Sequence, residues 1–152
     1  MHYWLMKSEP DVYGIADLER DRQTIWDGVR NYQARNFLRS MAVGDRVFFY
    51  HSNTTPPGIV GLMQVSQADI VDPTQFDPKS KYYDAKSPED NPRWRTVQVE
   101  FVEQFANLVT LDQLRQAFAP EELLLVRPGN RLSVMPVDEP VAQKILKLAN
   151  AG

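Results

Sequence analysis

The sequence predicts an α+β fold in which a small, partly closed β-barrel carries short helices at its rim. Three observations predict it. Two long runs, 59–71 and 94–105, have the β-branched and aromatic content of strands, and several shorter runs join them. The helical patterns are short and peripheral. Gly61 lies inside the first long run, where a residue without a side chain marks a bulge or a close approach of backbone, and such a strand curves.

Taken in order, His2 to Lys7 alternates as a first strand and Ser8-Glu9-Pro10-Asp11 stops it. Tyr13 to Arg20 reads as a short helix with Ile15 and Leu18 facing inward, and Gln23 to Trp26 as a brief strand. Ala34, Phe37, Leu38 and Met41 recur at i, i+3, i+4 and i+7, one apolar helical face, so a helix is expected from Tyr32 to Met41. Asn31 caps it and Gly44-Asp45 follows its end. Arg46 to Ser52 is a strand, Thr55-Pro56-Pro57-Gly58 a turn, and Ile59 to Val71 the first long strand. Residues 72–93 form a polar loop with Pro73, Pro78, Pro88 and Pro92, and it is expected to be mobile at the mouth of a pocket. Trp94 to Phe105 places Val97, Val99 and Phe101 on one face. Thr110 and Gln113 make a capping box for a helix through Phe118, and Glu121 to Arg127 continues into a Pro128-Gly129-Asn130 turn. Arg131 to Val137 is the last strand, and Asp138 caps a closing helix with Pro140 in its first turn.

Composition narrows the function. At 152 residues, 43% hydrophobic and 24% charged, the chain suits one globular domain over 1–152. It has no cysteine, which excludes a disulfide framework, a thiol nucleophile and a thiolate metal site. No signal peptide or membrane-length apolar run is visible, so a cytoplasmic location, no membrane contact and a monomer are expected. Asn53-Thr54-Thr55 fits a glycosylation acceptor only by chance in that setting. The net charge of -3 argues against a protein that coats long duplex nucleic acid, so any nucleic-acid contact should be local.

Residues 24–52 carry the most distinctive chemistry. Trp26, which reads as exposed, precedes an Asp27-Gly28 turn, then Arg30 and a helix N-terminus, whose free N–H groups favour acceptor atoms and anions. Arg35 flanks the helix. A flat aromatic beside convergent donors suits a planar ligand with polar edges, such as a nucleobase. The bland alternative makes Trp26 a core aromatic and leaves the arginines solvated. An enzyme is harder to build. Only His2 and His51 are present, and no HExxH, Walker A or GxGxxG pattern occurs. His51 and Ser52 are neighbours on a strand and point to opposite faces. Glu9 and Asp11 read as capping or solvated carboxylates.

The segments YWLMKSEP, WDGVRNYQARNFLR, FFYHS, PGIVGL, YYD, PRW and LLLVRPGNRLSVMPV resemble the EVE domain family, and together they span nearly the whole chain. The resemblance implies a PUA-like fold, a curved mixed β-barrel with peripheral helices, similar to the YTH and SRA domains. It also implies a non-catalytic module, with no cofactor, that reads a modified base of DNA or RNA in an aromatic and polar pocket. A small anionic or nucleotide-like ligand is the other occupant to consider. Carried over by motif, the pocket residues are Lys7, Ser8, Trp26, Gly28, Val29, Arg30, Asn31, Tyr32 and Arg35. His51, Ser52 and Pro57 would supply another wall, with Trp94, Arg127 and Asn130 beside them. Eukaryotic relatives carry a basic N-terminal extension that this sequence does not show, which leaves nuclear targeting without support. The alternative function is an enzyme or accessory factor in nucleotide or RNA modification.

Overall fold

The computed structural model describes residues 1–151. Six strands form one mixed sheet: β1 (Tyr3–Ser8), β2 (Gln23–Ile25), β3 (Arg46–His51), β4 (Gly58–Val71), β5 (Arg95–Thr110) and β6 (Val134–Val137). Their spatial order is β2-β5-β4-β3-β1-β6, and β1 and β3 are the parallel pair. The helices are α1 (Pro10–Tyr13), α2 (Ile15–Asp21), α3 (Tyr32–Ser40), α4 (Leu111–Ala117) and α5 (Glu139–Asn150).

Strand alternation sends side chains to two cores. Leu5, Phe48, Tyr50 and Ile59 face α4 and α5, where Leu114, Val141 and Ile145 cover them. Trp4, Met6, Val47, Phe49, Met63, Val65, Val97 and Val99 face the other way, against Ile15 and Leu18 of α2 and Ala34 and Leu38 of α3. Fully burying one such aliphatic or aromatic side chain contributes about 1.5–3 kcal/mol, so both faces are strongly held. The sheet curls. β4 and β5 shift register four times, and α3 packs against both β5 and β6, which lie near opposite ends of the strand order. No pairing joins β2 to β6 among the described residues, and the fold is a curved, partly closed PUA-like barrel with helices around it.

Gly61 does what its position in the sequence suggests. A Cβ there would stand 2.6 Å from the Glu103 carbonyl and 2.8 Å from Ile15 Cδ1, so the crossing of β4, β5 and α2 requires glycine. The buried Asp45 accepts hydrogen bonds from the His2 N–H, the Trp4 Nε1–H and the Ala42 N–H, and so ties the start of β1 to the turn before β3.

Several boundaries differ from the sequence reading. The helix expected over 13–20 is split by Gly14, which is extended and forms the N-cap of α2. β5 runs on to Thr110 because its pairing with β4 continues to Gly58. β6 begins at Val134 rather than Arg131, and a 3-10 turn (Leu124–Val126) precedes the turn at Pro128. Asp138 occupies the N-cap of α5 but makes no side-chain capping bond.

Candidate functional site

Parallel pairing brings the C-terminal ends of β1 and β3 to the same side of the sheet, and antiparallel β6 arrives there with its N-terminal end. The Lys7 N–H donates to the Ser133 carbonyl at 2.9 Å, and the Ser52 N–H to the Ser8 carbonyl at 3.0 Å. Lys7, Ser8, Ser52, Arg131 and Ser133 therefore form one wall of a cavity of about 610 Å³. Residues 24–30 form the opposite wall, Lys81 and Tyr82 close it from the side, and Glu9, Val12 and Tyr13 stand at its rim.

The second wall is rigidly held. The Trp26 N–H donates to the Val97 carbonyl at 3.0 Å, and the Thr96 hydroxyl donates to the Trp26 carbonyl. The Trp26 ring packs edge-on against Phe49, with centroids 5.4 Å apart. It is 8% exposed, so Trp26 is a core residue that also borders the cavity, not the exposed aromatic the sequence suggested. Gly28 has φ +84°, and a Cβ there would lie 2.6 Å from the Tyr82 ring. Its N–H donates to Asp72 Oδ2 at 2.9 Å.

Arg30 borders the cavity but its guanidinium is spoken for. It bonds Asp72 Oδ2 through Nη1 at 3.0 Å, Thr74 Oγ1 through Nη2 at 3.0 Å, and the Tyr82 carbonyl through Nε and Nη2 at 3.0 and 2.8 Å. It clamps the 72–84 segment to the cavity wall rather than waiting for a phosphate. The expected mobile loop is thus cross-linked. Buried Gln75 donates to the Asp72 and Trp94 carbonyls and accepts from the Ser87 hydroxyl, and the Trp94 Nε1–H donates to Asp84 at 2.8 Å.

The other residues expected in the site divide sharply. Lys7, Ser8, Trp26, Gly28, Val29, Arg30 and Ser52 do line the cavity. Asn31 instead caps α3, its Oδ1 accepting from the Ala34 N–H at 2.9 Å. Tyr32 stacks on Trp94 at 4.9 Å, and Arg35 covers Tyr32 and donates to the Arg93 carbonyl, a stack outside the cavity. His51 Nε2 accepts the Ile15 N–H at 3.1 Å and so caps α2. Burial pushes its pKa below the ordinary 6.5, which keeps that nitrogen free to accept. The Pro57 carbonyl receives the Leu111 N–H, and Asn130 closes a turn with Arg127 and Leu124. None of these eight borders the cavity.

Sequence reasoning passed over Asp27, Lys81, Tyr82, Arg131 and Ser133. Asp27 was in view as half of a turn signal and Lys81 and Tyr82 as part of the loop at the pocket mouth, while Arg131 and Ser133 come from a segment whose approach only the strand order reveals. The cavity is also polarised. Lys7, Lys81 and Arg131 have no carboxylate at ion-pair distance among the described residues, unlike Arg30. Burial without a partner lowers the Lys7 pKa. The Tyr13 hydroxyl at the rim is pushed up to about 12 by burial and by its hydrogen bond to Asp21. No group of three or more metal-ligating side chains occurs among the described residues, and none of their helices is long and apolar enough to cross a membrane.

The family model of the EVE domain matches residues 2–148. The chain belongs to the EVE domain family. Thymocyte nuclear protein 1 of Rattus norvegicus is 42% identical to it over 168 residues, covering 99% of this chain and 74% of the rat protein. Among solved structures, an EVE-like neighbour from Pseudomonas syringae is 50% identical with a TM-score of 0.93, covering 97% of this chain and 99% of its own. The human THYN1 protein in complex with 5-methylcytosine containing DNA is 38% identical, with a TM-score of 0.93, covering 100% and 99% of the two chains. The overall fold of this EVE domain is thus shared, over nearly its whole length, with structures from bacteria and human.

Proposed function

We propose that this EVE domain is a non-catalytic nucleic-acid-binding module that takes a modified base of DNA or RNA into the cavity between β1 and the 24–30 wall. The cavity carries the reading. Its volume of about 610 Å³ lies within the range of about 300–1,000 Å³ usual for small-ligand sites. An aromatic wall of Trp26 and Tyr82 faces a wall of cations and hydroxyls, the pairing that an extruded nucleotide needs for its ring and its backbone. A relative at 38% identity in complex with 5-methylcytosine containing DNA supports the same reading and makes a modified cytosine the first ligand to try.

The backbone phosphates would meet Lys7, Lys81 and Arg131 rather than Arg30, which is paired with Asp72, or Arg35, which bonds the Arg93 carbonyl outside the cavity. This keeps the contact local, as a net charge of -3 requires. The monomeric, cytoplasmic state expected above rests on the sequence alone. The test is an anisotropy titration of the protein with short oligonucleotides containing cytosine or 5-methylcytosine at fixed salt. Tighter binding of the modified strand, with the nucleosides recovered unchanged, is expected. Equal affinity for both strands contradicts base reading, and altered nucleosides contradict the absence of catalysis.

A further inference from the structure

Resting on the base-reading function proposed above, we propose that Asp27 lets the cavity distinguish a pyrimidine with a 4-amino group from its 4-oxo isostere, 5-methylcytosine from thymine. These two bases share ring size and the 5-methyl group, so neither an aromatic wall nor a methyl-sized hollow separates them. They differ along one polar edge. Cytosine offers the N4–H donor and the N3 acceptor where thymine offers the O4 acceptor and the N3–H donor, so a carboxylate placed against position 4 favours the amino form.

The cavity holds few groups that can sense that difference. Lys7, Lys81 and Arg131 only donate, and the Ser52 and Ser133 hydroxyls rotate to do either. An ionised carboxylate only accepts. Asp27 is such a group, a solvent-accessible residue of the cavity lining next in sequence to Trp26, and its side chain accepts a hydrogen bond from no other residue among those described. Asp72, Asp84 and Asp45 are each occupied by two or more protein donors. The remaining cavity carboxylate, Glu9, stands at the rim and accepts from Asn53.

Asp27 is also held in place. The Trp26 peptide is bonded to Val97 and Thr96 on one side, and the Gly28 N–H to Asp72 on the other, so the Asp27 backbone is fixed without help from its side chain. Partial desolvation and the neighbouring Asp72 carboxylate push its pKa up from the ordinary 3.8, against the smaller opposing pull of its own backbone N–H and of Arg30. An N4–H would supply the carboxylate with a donor. A thymine O4 would set acceptor against acceptor.

The experiment is a competition titration at neutral pH and fixed salt. The oligonucleotides are identical except for one 5-methylcytosine or one thymine. The wild-type protein should prefer 5-methylcytosine by about tenfold or more, the discrimination of one good base-edge contact. In Asp27→Asn and Asp27→Ala the preference should fall below about threefold, with thymine bound no more weakly than by wild type. Glu121→Gln, at an exposed carboxylate outside the cavity, should keep the wild-type ratio. Both Asp27 variants should unfold near the wild-type temperature, since the carboxylate accepts no hydrogen bond from another residue and its attraction to Arg30 is offset by repulsion from Asp72. A wild-type ratio near one, or a ratio that survives in both Asp27 variants, overturns the assignment while leaving a reader of methyl or shape intact. Binding of neither strand by the wild type overturns the base-reading function itself, and this assignment with it.

Discussion

Replacing Arg30 with alanine separates a structural clamp from a phosphate contact. In the structure this guanidinium makes an ion pair with Asp72, whose side chain is 2% exposed, and bonds the Tyr82 carbonyl twice and Thr74 once. Breaking a buried ion pair by removing one partner costs about 3–5 kcal/mol. Two features reduce that here. Arg30 keeps 21% of its side chain in solvent, and Asp72 retains donors from Gly28 and Thr74. The expected loss is about 2–3 kcal/mol, which for a domain of this size lowers Tm by roughly 5–10 °C. Urea denaturation gives the global figure. Hydrogen exchange followed residue by residue should show lost protection at the Asp84 and Ser87 amides of the clamped segment. Arg30→Lys should fall between the two, because an ammonium keeps the charge but not the planar fork. If Arg30→Ala keeps wild-type stability and exchange yet binds DNA with a shallower salt dependence, the clamp is wrong and Arg30 is a phosphate ligand.

Further outcomes follow from the same geometry. Gly28→Ala should cost at least about 1 kcal/mol through its positive φ alone, and more through displacement of Tyr82, so both Tm and base binding should drop. Hydrogen bonds from Ala42, Trp4 and His2 outweigh the effect of burial and hold the Asp45 carboxyl below its ordinary 3.8. Its contribution to stability is therefore complete above that value and lost as pH falls through the lower folded one. Asp45→Ala should lose about 1–3 kcal/mol at neutral pH by orphaning the Trp4 N–H and should show a weaker acid dependence. His51 behaves with the same sign. Its folded pKa lies below 6.5, so the unfolded chain takes up the proton first and stability falls as pH drops below 6.5 toward the folded value. An NMR titration of the His51 ring should give that lowered pKa, and a value above 6.5 contradicts the α2 cap. Alanine at Lys81 or Arg131 should reduce the salt slope of DNA binding by about one each while leaving the preference among bases unchanged; unchanged slopes at both would remove the cationic wall from the interface.

What could be read in the sequence was local chemistry. Asn31 as the cap of α3, the Thr110–Gln113 capping box, and Gly61 as a point of close approach all rest on residues within a few positions of each other or on the absence of one side chain. The long strands were legible because periodicity declares them. Roles fixed by distant partners were not. Arg30 looks like a phosphate ligand until Asp72, 42 residues away, is placed beside it. His51 looks like a wall of the pocket until α2 brings the Ile15 N–H to its Nε2. Tyr32, Arg35 and Trp94 share the motif's chemistry but turn to one another rather than to the cavity. Lys81 and Tyr82 lie in the loop expected at the pocket mouth but carried no motif of their own, and Arg131 and Ser133 enter the site only through the strand order.

The most direct test of the base-reading cavity is chemical-shift mapping with an oligonucleotide carrying one 5-methylcytosine. The Trp26 indole N–H and the amides of Asp27, Gly28, Val29 and Tyr82 should shift together and saturate with the binding curve. The amides of Pro57's neighbours Gly58 and Leu111, and those of Arg127 and Asn130, should stay still. Shifts confined to the latter set, or to the outer Tyr32–Arg35–Trp94 stack, would place the ligand elsewhere and contradict the account.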